Sequence, residues 1–268
     1  MVLALVSSPA LAKKKPKAPK VEQAAVQVLA PETLAKARLA LASEQDSTVL
    51  VAAKLLGESG ASNAAAPLVE LLVLGARPPV VAAALDALGR LKDPSSVEVL
   101  GVCANNRNPE LRRAAVEALA GIEDARVADI LIDRLGDAVP DVRKAAAVAL
   151  GARRESRAQA RLVALVRRND AEAAPALGNV AAPETVLQIV ESHETIDDGV
   201  LAATLGAFLK RPDVPDEARE TVVGTLARLP GAGAIAALTE YVAAAPDTPA
   251  RPSKATARKV LKQRSAKP

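Results

Sequence analysis

The residues best able to do chemistry in this sequence are arginines, and they are concentrated in one stretch. Residues 142–168 hold eight basic residues against a single acidic one. Arg157, Arg161 and Arg168 follow one another at intervals of four and seven, which places them on one face of a helix. Such a row of guanidinium groups predicts a binding spot for phosphate, carboxylate or an acidic peptide. The candidate binding residues are Arg153, Arg154, Arg157, Arg161 and Arg168. The alternative is a solvated face that balances the acidic residues before it.

Residue types that carry catalysis or bind metals are scarce. His193 is the only histidine and Cys103 the only cysteine, so a Ser–His–Asp or Cys–His set would have to use His193. Cys103 lies within a predicted helix, where a lone cysteine behaves as a small buried apolar residue. There is no Gly-rich phosphate loop. We therefore predict no catalytic residue, no metal ligand and no cofactor, and a protein that is not an enzyme.

The arginines belong to a unit that the chain repeats about every 31 residues. Each copy ends in Leu followed by Gly or Ala, and clear copies end at Leu56-Gly57, Leu88-Gly89, Leu119-Ala120 and Leu150-Gly151. A shortened copy ends at Leu177-Gly178, and a further copy ends at Leu226-Ala227. A period in this range indicates a solenoid, in which each unit buries its apolar face only against its neighbours.

Each unit contains two predicted helices. In 140–151 the apolar residues share one helical face, Pro140 lies in the first turn and Gly151 provides a C-terminal stop. The shorter second helices are 97–104, 127–135, 158–166 and 234–242, and each places a leucine eleven residues after the anchor: Leu100, Leu131, Leu162 and Leu238. The predicted fold is all-α, a right-handed α-solenoid (superhelix) of stacked antiparallel helix pairs.

The unit resembles the HEAT repeats, in particular the short HEAT-like units of the phycobilisome-lyase group. Their consensus, Asp-x-x-Pro-x-Val-Arg-x-x-Ala-Ala-x-Ala-Leu-Gly, is matched most fully by 137–151 and also by 109–120. Residues 215–227 match it in part. The resemblance covers roughly 46–245. It implies a concave groove lined by the second helices, and repeats of this kind serve scaffolds, chaperone-like lyases and some enzymes.

The resemblance also implies a structural role for one arginine per unit. Arg112, Arg143 and Arg219 lie eight residues before their anchors, and HEAT-like proteins use this arginine to bind an Asp and nearby carbonyls along the stack. Asp137 precedes Arg143 by six residues. The repeat register is irregular in 170–214, which leaves two alternatives there, a shortened repeat or a kink in the superhelix.

Charge divides the chain into an acidic body and two basic tails. Twelve of the 35 basic residues lie in 13–20 and 251–268, which contain no acidic residue, so 23 basic residues face all 31 acidic ones in between. We predict a linker at 13–20, the solenoid at 21–250, and either a capping helix or a basic tail at 251–268. A capping helix would begin at Ser253 and dock through Ala257, Val260 and Leu261. A basic tail could instead touch an anionic envelope surface.

The first twelve residues, MVLALVSSPALA, form an apolar run that ends in small residues. The run has the hydrophobic core and the cleavage-site pattern of a secretory signal, without its usual positively charged start. It predicts a signal-peptide remnant at 1–12 and export to the periplasm or cell envelope. A cytoplasmic protein with an Ala-rich N-terminus is the alternative. No later segment is apolar over the 18 or so residues of a membrane span.

These features favour a binding scaffold over other functional classes. We expect a protein or peptide partner in the concave groove, held by the basic residues of 142–168. The rival hypothesis is an anionic polymer, nucleic acid or envelope polysaccharide, bound by the basic repeat and the tails. Aromatic residues make up 1% of the chain, so single-stranded nucleic acid would find almost no stacking rings, which argues against it.

Overall fold

A computed structural model describes residues 27–245 and 251–265, and this part of the chain folds into fifteen α-helices. The predicted signal remnant (1–12) and linker (13–20) lie outside the described residues. The helices are α1 Pro31–Leu41, α2 Asp46–Ser59, α3 Ala65–Leu74, α4 Pro78–Leu91, α5 Val97–Cys103, α6 Pro109–Ala120, α7 Ala125–Arg134, α8 Pro140–Ala152, α9 Gln159–Val166, α10 Ala174–Val180, α11 Pro183–Glu191, α12 Asp198–Leu209, α13 Asp216–Arg228, α14 Ala232–Ala244 and α15 Pro252–Ser265.

The helices stack in two layers. The even-numbered helices α2 to α14 pack successively on one another and form the first layer. In the second layer α3 packs on α5, α5 on α7, α11 on α13 and α13 on α15. Within the described residues α2 to α15 therefore make seven helix pairs, with α1 packed across α2 and α3 at one end. The predicted solenoid of stacked helix pairs is confirmed.

Local sequence explains where these helices begin and how they bury one face. Seven of them have proline in the first two positions, where the missing N–H costs no hydrogen bond. In α8 the buried residues include Val142, Ala146, Ala149 and Leu150, which is the face predicted from their spacing. The second helices predicted at 97–104, 127–135 and 158–166 correspond to α5, α7 and α9.

The glycine of each Leu-Gly anchor is needed because first-layer helices almost touch there. A Cβ on Gly57 would lie 2.7 Å from Ala87 Cα, and one on Gly89 would lie 2.9 Å from Ala118 Cα. At Gly178 a Cβ would lie 2.2 Å from the carbonyl oxygen of Thr204. The repeated small residues are thus a packing requirement, since a larger side chain would push neighbouring helices apart.

After residue 195 the phase of the repeat differs from the sequence prediction. The pattern predicts 215–227 as a first helix and 234–242 as a second helix, and both assignments are wrong: α13 belongs to the second layer and α14 to the first. The anchor that the pattern missed is Gly206, where a Cβ would lie 2.9 Å from Ala237 Cβ. The step from Gly178 to Gly206 is shorter than the period of the earlier repeats, and this shifts the register. A shortened repeat is therefore the correct alternative.

Arg219 accordingly has a different role from the one its sequence position predicts. It lies on α13, 3% exposed, and its Nη2 donates to the backbone carbonyl of Arg211 instead of pairing with an aspartate of the next unit. Desolvation, reinforced by the nearby charge of Arg251, lowers the pKa of its guanidinium. The local match of 215–227 to the consensus arises in a helix of the other layer, so Arg219 is not equivalent to Arg112 and Arg143.

The C-terminal helix α15 covers the end of the stack. It packs on α13 and α14, and Ala257 on its inner face is fully buried. Ser253 does not cap the helix: its Oγ donates to Asp216 Oδ1 at 2.6 Å and lies 2.6 Å from the hydroxyl of Tyr241. The predicted docking residues Val260 and Leu261 are partly buried against the same core. None of the helices in the described residues is long and apolar enough to cross a membrane.

We expect the Gly178→Ala substitution to lower the free energy of unfolding by about 3 kcal/mol, because the new Cβ would overlap the α12 backbone. Gly224→Ala is a matched control within a helix, since a Cβ there would meet nothing within 4 Å. It should raise stability by about 0.5–1 kcal/mol through its better helix propensity. Urea denaturation followed by circular dichroism measures both changes, and equal effects would contradict the packing requirement.

Acid should weaken the contact between Arg211 and Asp213. The Arg211 guanidinium lowers the pKa of the Asp213 carboxyl to about 2, below the ordinary value of 3.8. Because the unfolded chain takes up this proton first, the stabilisation is present above about pH 4 and is lost as the pH falls through about 2. The stability difference between the protein and its Asp213→Asn variant should therefore shrink from pH 4 to pH 2 in denaturation curves. A constant difference would contradict this assignment.

Candidate functional site

A ladder of arginine–aspartate pairs joins consecutive repeats at one edge of the stack. Arg112 on α6 binds Asp137 of the next unit through two parallel hydrogen bonds, Nε to Oδ2 and Nη2 to Oδ1, both 2.8 Å long. Its Nη1 donates to the carbonyls of Asn106 and Arg107. The Arg112 side chain holds the pKa of the Asp137 carboxyl below its ordinary value. One guanidinium thus ties together two successive loops.

The next unit repeats the arrangement. Arg143 Nε donates to Asp170 Oδ2 at 2.8 Å, and its Nη1 donates to the carbonyls of Asp137 and Ala138. Asp170 in turn accepts a hydrogen bond from the backbone N–H of Glu172. Together the two pairs fix the loops that follow α7 and α9.

Those two loops wall an open cleft of about 680 Å³ at the C-terminal ends of α7 and α9. Its polar lining includes Asp137, Arg143, Arg161, Arg168, Asn169, Asp170 and Glu172. Each carboxylate already has a basic partner: Arg112 and Arg143 bind the aspartates, and Lys144 Nζ lies 3.1 Å from Glu172. Arg161 and Arg168 are the basic lining residues of the cleft that no acidic side chain of the described residues pairs with.

Arg161 and Arg168 are the two predicted binding residues that line this cleft. Both are exposed, and within 27–245 and 251–265 neither makes an ion pair or a side-chain hydrogen bond. A Cβ on Gly136 would lie 2.6 Å from Arg161 Nη2, so the missing side chain leaves room for the guanidinium beside the α7–α8 loop. The pair is placed to donate hydrogen bonds to an anion entering from solvent.

Arg157, by contrast, already forms ion pairs with two acidic side chains. Its Nε lies 2.9 Å from Glu155 Oε1 and its Nη1 lies 2.9 Å from Asp129 Oδ1 on the preceding unit. Hydrogen bonding to Arg157 lowers the pKa of Glu155, and the pKa of Arg157 rises in turn. The predicted stripe of three arginines is therefore reduced to two that can meet a ligand.

Arg153 and Arg154 do not line the cleft. Arg153 Nη1 donates to the carbonyls of Ala120 and Ile122, which satisfies the end of α6 in the preceding unit. Arg154 lies in the left-handed region, at φ 51°, and its Nη1 is 3.3 Å from Asp213 Oδ1. Both residues connect repeats, and the structure separates them from Arg161 and Arg168.

Sequence reasoning missed two features of the cleft. Gly136, whose small size admits Arg161, stands outside the Leu-Gly anchors and carries no repeat signal. Asp170, the partner of Arg143, could have been found, because it follows Asp137 at close to one repeat period and lies in a comparable loop.

The described residues hold no group of three or more His, Cys, Asp or Glu side chains that could bind a metal ion. Cys103 is buried on α5, and this burial raises the pKa of its thiol. The thiol is therefore in the protonated, weakly nucleophilic form at neutral pH. His193 begins a 3₁₀ turn, His193–Thr195.

The ladder should carry more stability than an exposed pair of the same residue types. We expect Arg112→Ala to lower the free energy of unfolding by about 3 kcal/mol, because it strands a carboxylate whose side chain is only 4% exposed. The adjacent Arg113, paired with Glu117 on the surface, gives the control Arg113→Ala, with a loss of about 0.5 kcal/mol. Denaturant melts of both variants test the difference, and similar losses would show that the ladder is dispensable.

Comparison with solved structures finds similar repeat proteins at low sequence identity. The complex of CpcE and CpcF of phycocyanin lyase from Nostoc sp. PCC7120 is 20% identical, with 92% of this chain and 99% of that chain covered and a TM-score of 0.48. A designed armadillo repeat protein in complex with the peptide (KR)4 is 16% identical, with 85% and 99% covered and a TM-score of 0.39. No curated protein sequence matches the chain.

The family profile described as HEAT repeats matches residues 73–151 and, in an overlapping match, residues 98–177. This region includes α4 to α9, the Arg112–Asp137 and Arg143–Asp170 pairs and all of the residues that line the cleft. The sequence resemblance and the stacked helix pairs agree with this match, and residues 73–177 consist of HEAT repeats.

Proposed function

We propose that this protein is a non-enzymatic scaffold that binds a protein or peptide partner along the groove of its second layer. Arg161 and Arg168 anchor the partner through a carboxylate group. The observation that carries the proposal is the cleft between the α7–α8 and α9–α10 loops, where both guanidinium groups face solvent without a partner among the described residues. Arginine forks bind carboxylates with directional, charge-assisted hydrogen bonds.

The distribution of ion pairs favours this partner over an anionic polymer. Five of the eight basic residues in 142–168 are already held by acidic side chains or backbone carbonyls. A polymer such as nucleic acid gains its affinity from many phosphate contacts along a continuous basic surface. Of the other three, Arg161 and Arg168 line the cleft and Arg167 does not. Two arginines in a cleft suit one or two carboxylates of a protein instead.

Export remains part of the proposal, because it determines where the partner is sought. The signal-like run at 1–12 supports a periplasmic or envelope location, and the basic residues of α15 could meet an anionic envelope surface. Fractionation of the native organism, with detection by antibody, tests this. Recovery only in the cytoplasmic fraction would contradict export.

The binding proposal is tested by affinity capture from the native organism, with the protein compared to an Arg161→Glu/Arg168→Glu variant. We expect one defined protein to be recovered with the wild type and lost with the variant, because reversed charges repel a carboxylate. The matched control is Arg90→Glu/Arg113→Glu, which reverses two exposed arginines of the first layer. An unchanged set of recovered proteins in both variants would contradict the proposal.

Salt dependence separates the two partner classes. A polymer held by many phosphate contacts should lose about a thousandfold or more in affinity between about 50 and 200 mM salt. A peptide held by one or two carboxylates should lose only a few-fold. Recovery of nucleic acid or polysaccharide with the steeper dependence would replace the scaffold proposal.

A further inference from the structure

We infer that the partner is an extended peptide segment with an apolar side chain and, about six residues away, an acidic one. The apolar residue contacts the gap between α3 and α5, and the acidic residue contacts the cleft between α7 and α9. This inference rests on the proposed function and specifies the partner that it requires.

The repeat register relates the two places by sequence position. Leu68, Leu131 and Leu162 occupy the same buried position of their units, so positions can be compared by counting from them. Five and six residues after Leu131 come Gly136 and Asp137, which wall the cleft on the α7 side. In the first unit residues 73 and 74 have the same count from Leu68, and they form the last turn of α3, whereas Gly136 and Asp137 lie in the loop after α7.

The α3–α5 gap presents apolar groups at these equivalent positions. Val73 and Leu74 are 71% and 79% exposed. Val102, 69% exposed, occupies on α5 the position that Ala164, a lining residue of the cleft, occupies on α9. Three large apolar side chains are thus exposed at the C-terminal ends of two neighbouring second-layer helices, α3 and α5. Covering them releases ordered water, which favours an apolar side chain of a partner.

The gap in between fixes the order of the two contacts. At the α5–α7 gap the equivalent positions hold the amide of Asn105 and the carboxylate of Asp133, both exposed. Asp133 repels an acidic residue of the peptide, whereas Arg161 and Arg168 attract one. The surface therefore changes along three successive gaps from apolar, through polar with negative charge, to positive, and a complementary segment must be apolar at one end and acidic at the other.

Helix spacing sets the distance between the two contacts. Packed helices lie about 8–10 Å apart, so the two gaps are separated by about 16–20 Å along the second layer. An extended strand advances about 3.3 Å per residue. Five to six residues therefore span the distance, and an α-helical segment would need about twice as many.

The test selects peptides from a phage-displayed library of random peptides, each about twelve amino acids long, on the immobilised full-length protein. We expect enriched peptides to share an apolar residue and an Asp or Glu separated by about six positions. Synthetic copies labelled with fluorescein then give dissociation constants by fluorescence anisotropy. Replacing either of the two peptide residues by Ser or Asn should weaken binding about tenfold.

Protein variants locate each contact. Leu74→Ser and Val102→Ser should each weaken binding about tenfold, and they should lose little more when the apolar peptide residue is also replaced, as expected for groups in contact. Arg161→Gln/Arg168→Gln should behave in the same way toward the acidic residue. Val148→Ser is the matched control, since Val148 is 61% exposed on the first-layer helix α8 and should leave affinity unchanged.

The outcomes distinguish a failure of the apolar contact from a failure of the proposed function. Peptides that depend on Arg161 and Arg168 but bind Leu74→Ser and Val102→Ser normally would overturn the apolar contact and leave the proposed function intact. Enriched peptides without fixed spacing, or equal losses with Val148→Ser, would also overturn it. If selection enriches no peptide that depends on the arginine pair, the proposed function itself fails.

Discussion

The approach of first-layer helices at their glycine contacts is the constraint on which the rest of the structure depends. Where Gly57 meets Ala87 or Gly178 meets the α12 backbone, there is no space for a single additional carbon atom. At these points the backbones of neighbouring helices are in direct contact, so one helix has little freedom to shift against the next. The stack therefore supplies a regular frame, and backbone atoms and alanine methyl groups make its closest contacts.

In the second layer, neighbouring helices contact each other through side chains and not through their backbones, and this leaves exposed side chains that a partner can bind. For example, Ile130 Cδ1 would lie 3.1 Å from a Cβ on Gly101. A side chain at such a gap can change without disturbing the frame, so equivalent positions hold leucine in one unit and arginine in another. The Arg112–Asp137 and Arg143–Asp170 pairs then fix the loops beside these gaps, so that the exposed groups are presented in a constant arrangement.

The fold was largely predictable because periodic apolar residues and small-residue anchors are local features of sequence. The phase error after residue 195 arises because two consecutive units are shortened. The anchor there is Leu205-Gly206, and the run in α13 that resembles the consensus belongs to the second layer. Of the five candidate arginines, sequence could not tell which were occupied. Asp129 and Asp213, the partners of Arg157 and Arg154, belong to other units of the chain, and only the stacking brings them near.

The end of the stack also determines how the protein can change in length. The Asp216, Ser253 and Tyr241 side chains form a hydrogen-bonded set beneath α15, and α15 carries lysine and arginine in its last turn. Such a helix offers no apolar face on which an eighth pair could stack. Insertion of a further unit between two existing ones keeps the apolar faces of its neighbours covered. Stacking on the outer side of α15 would require apolar residues in place of the exposed Lys259, Lys262 and Gln263.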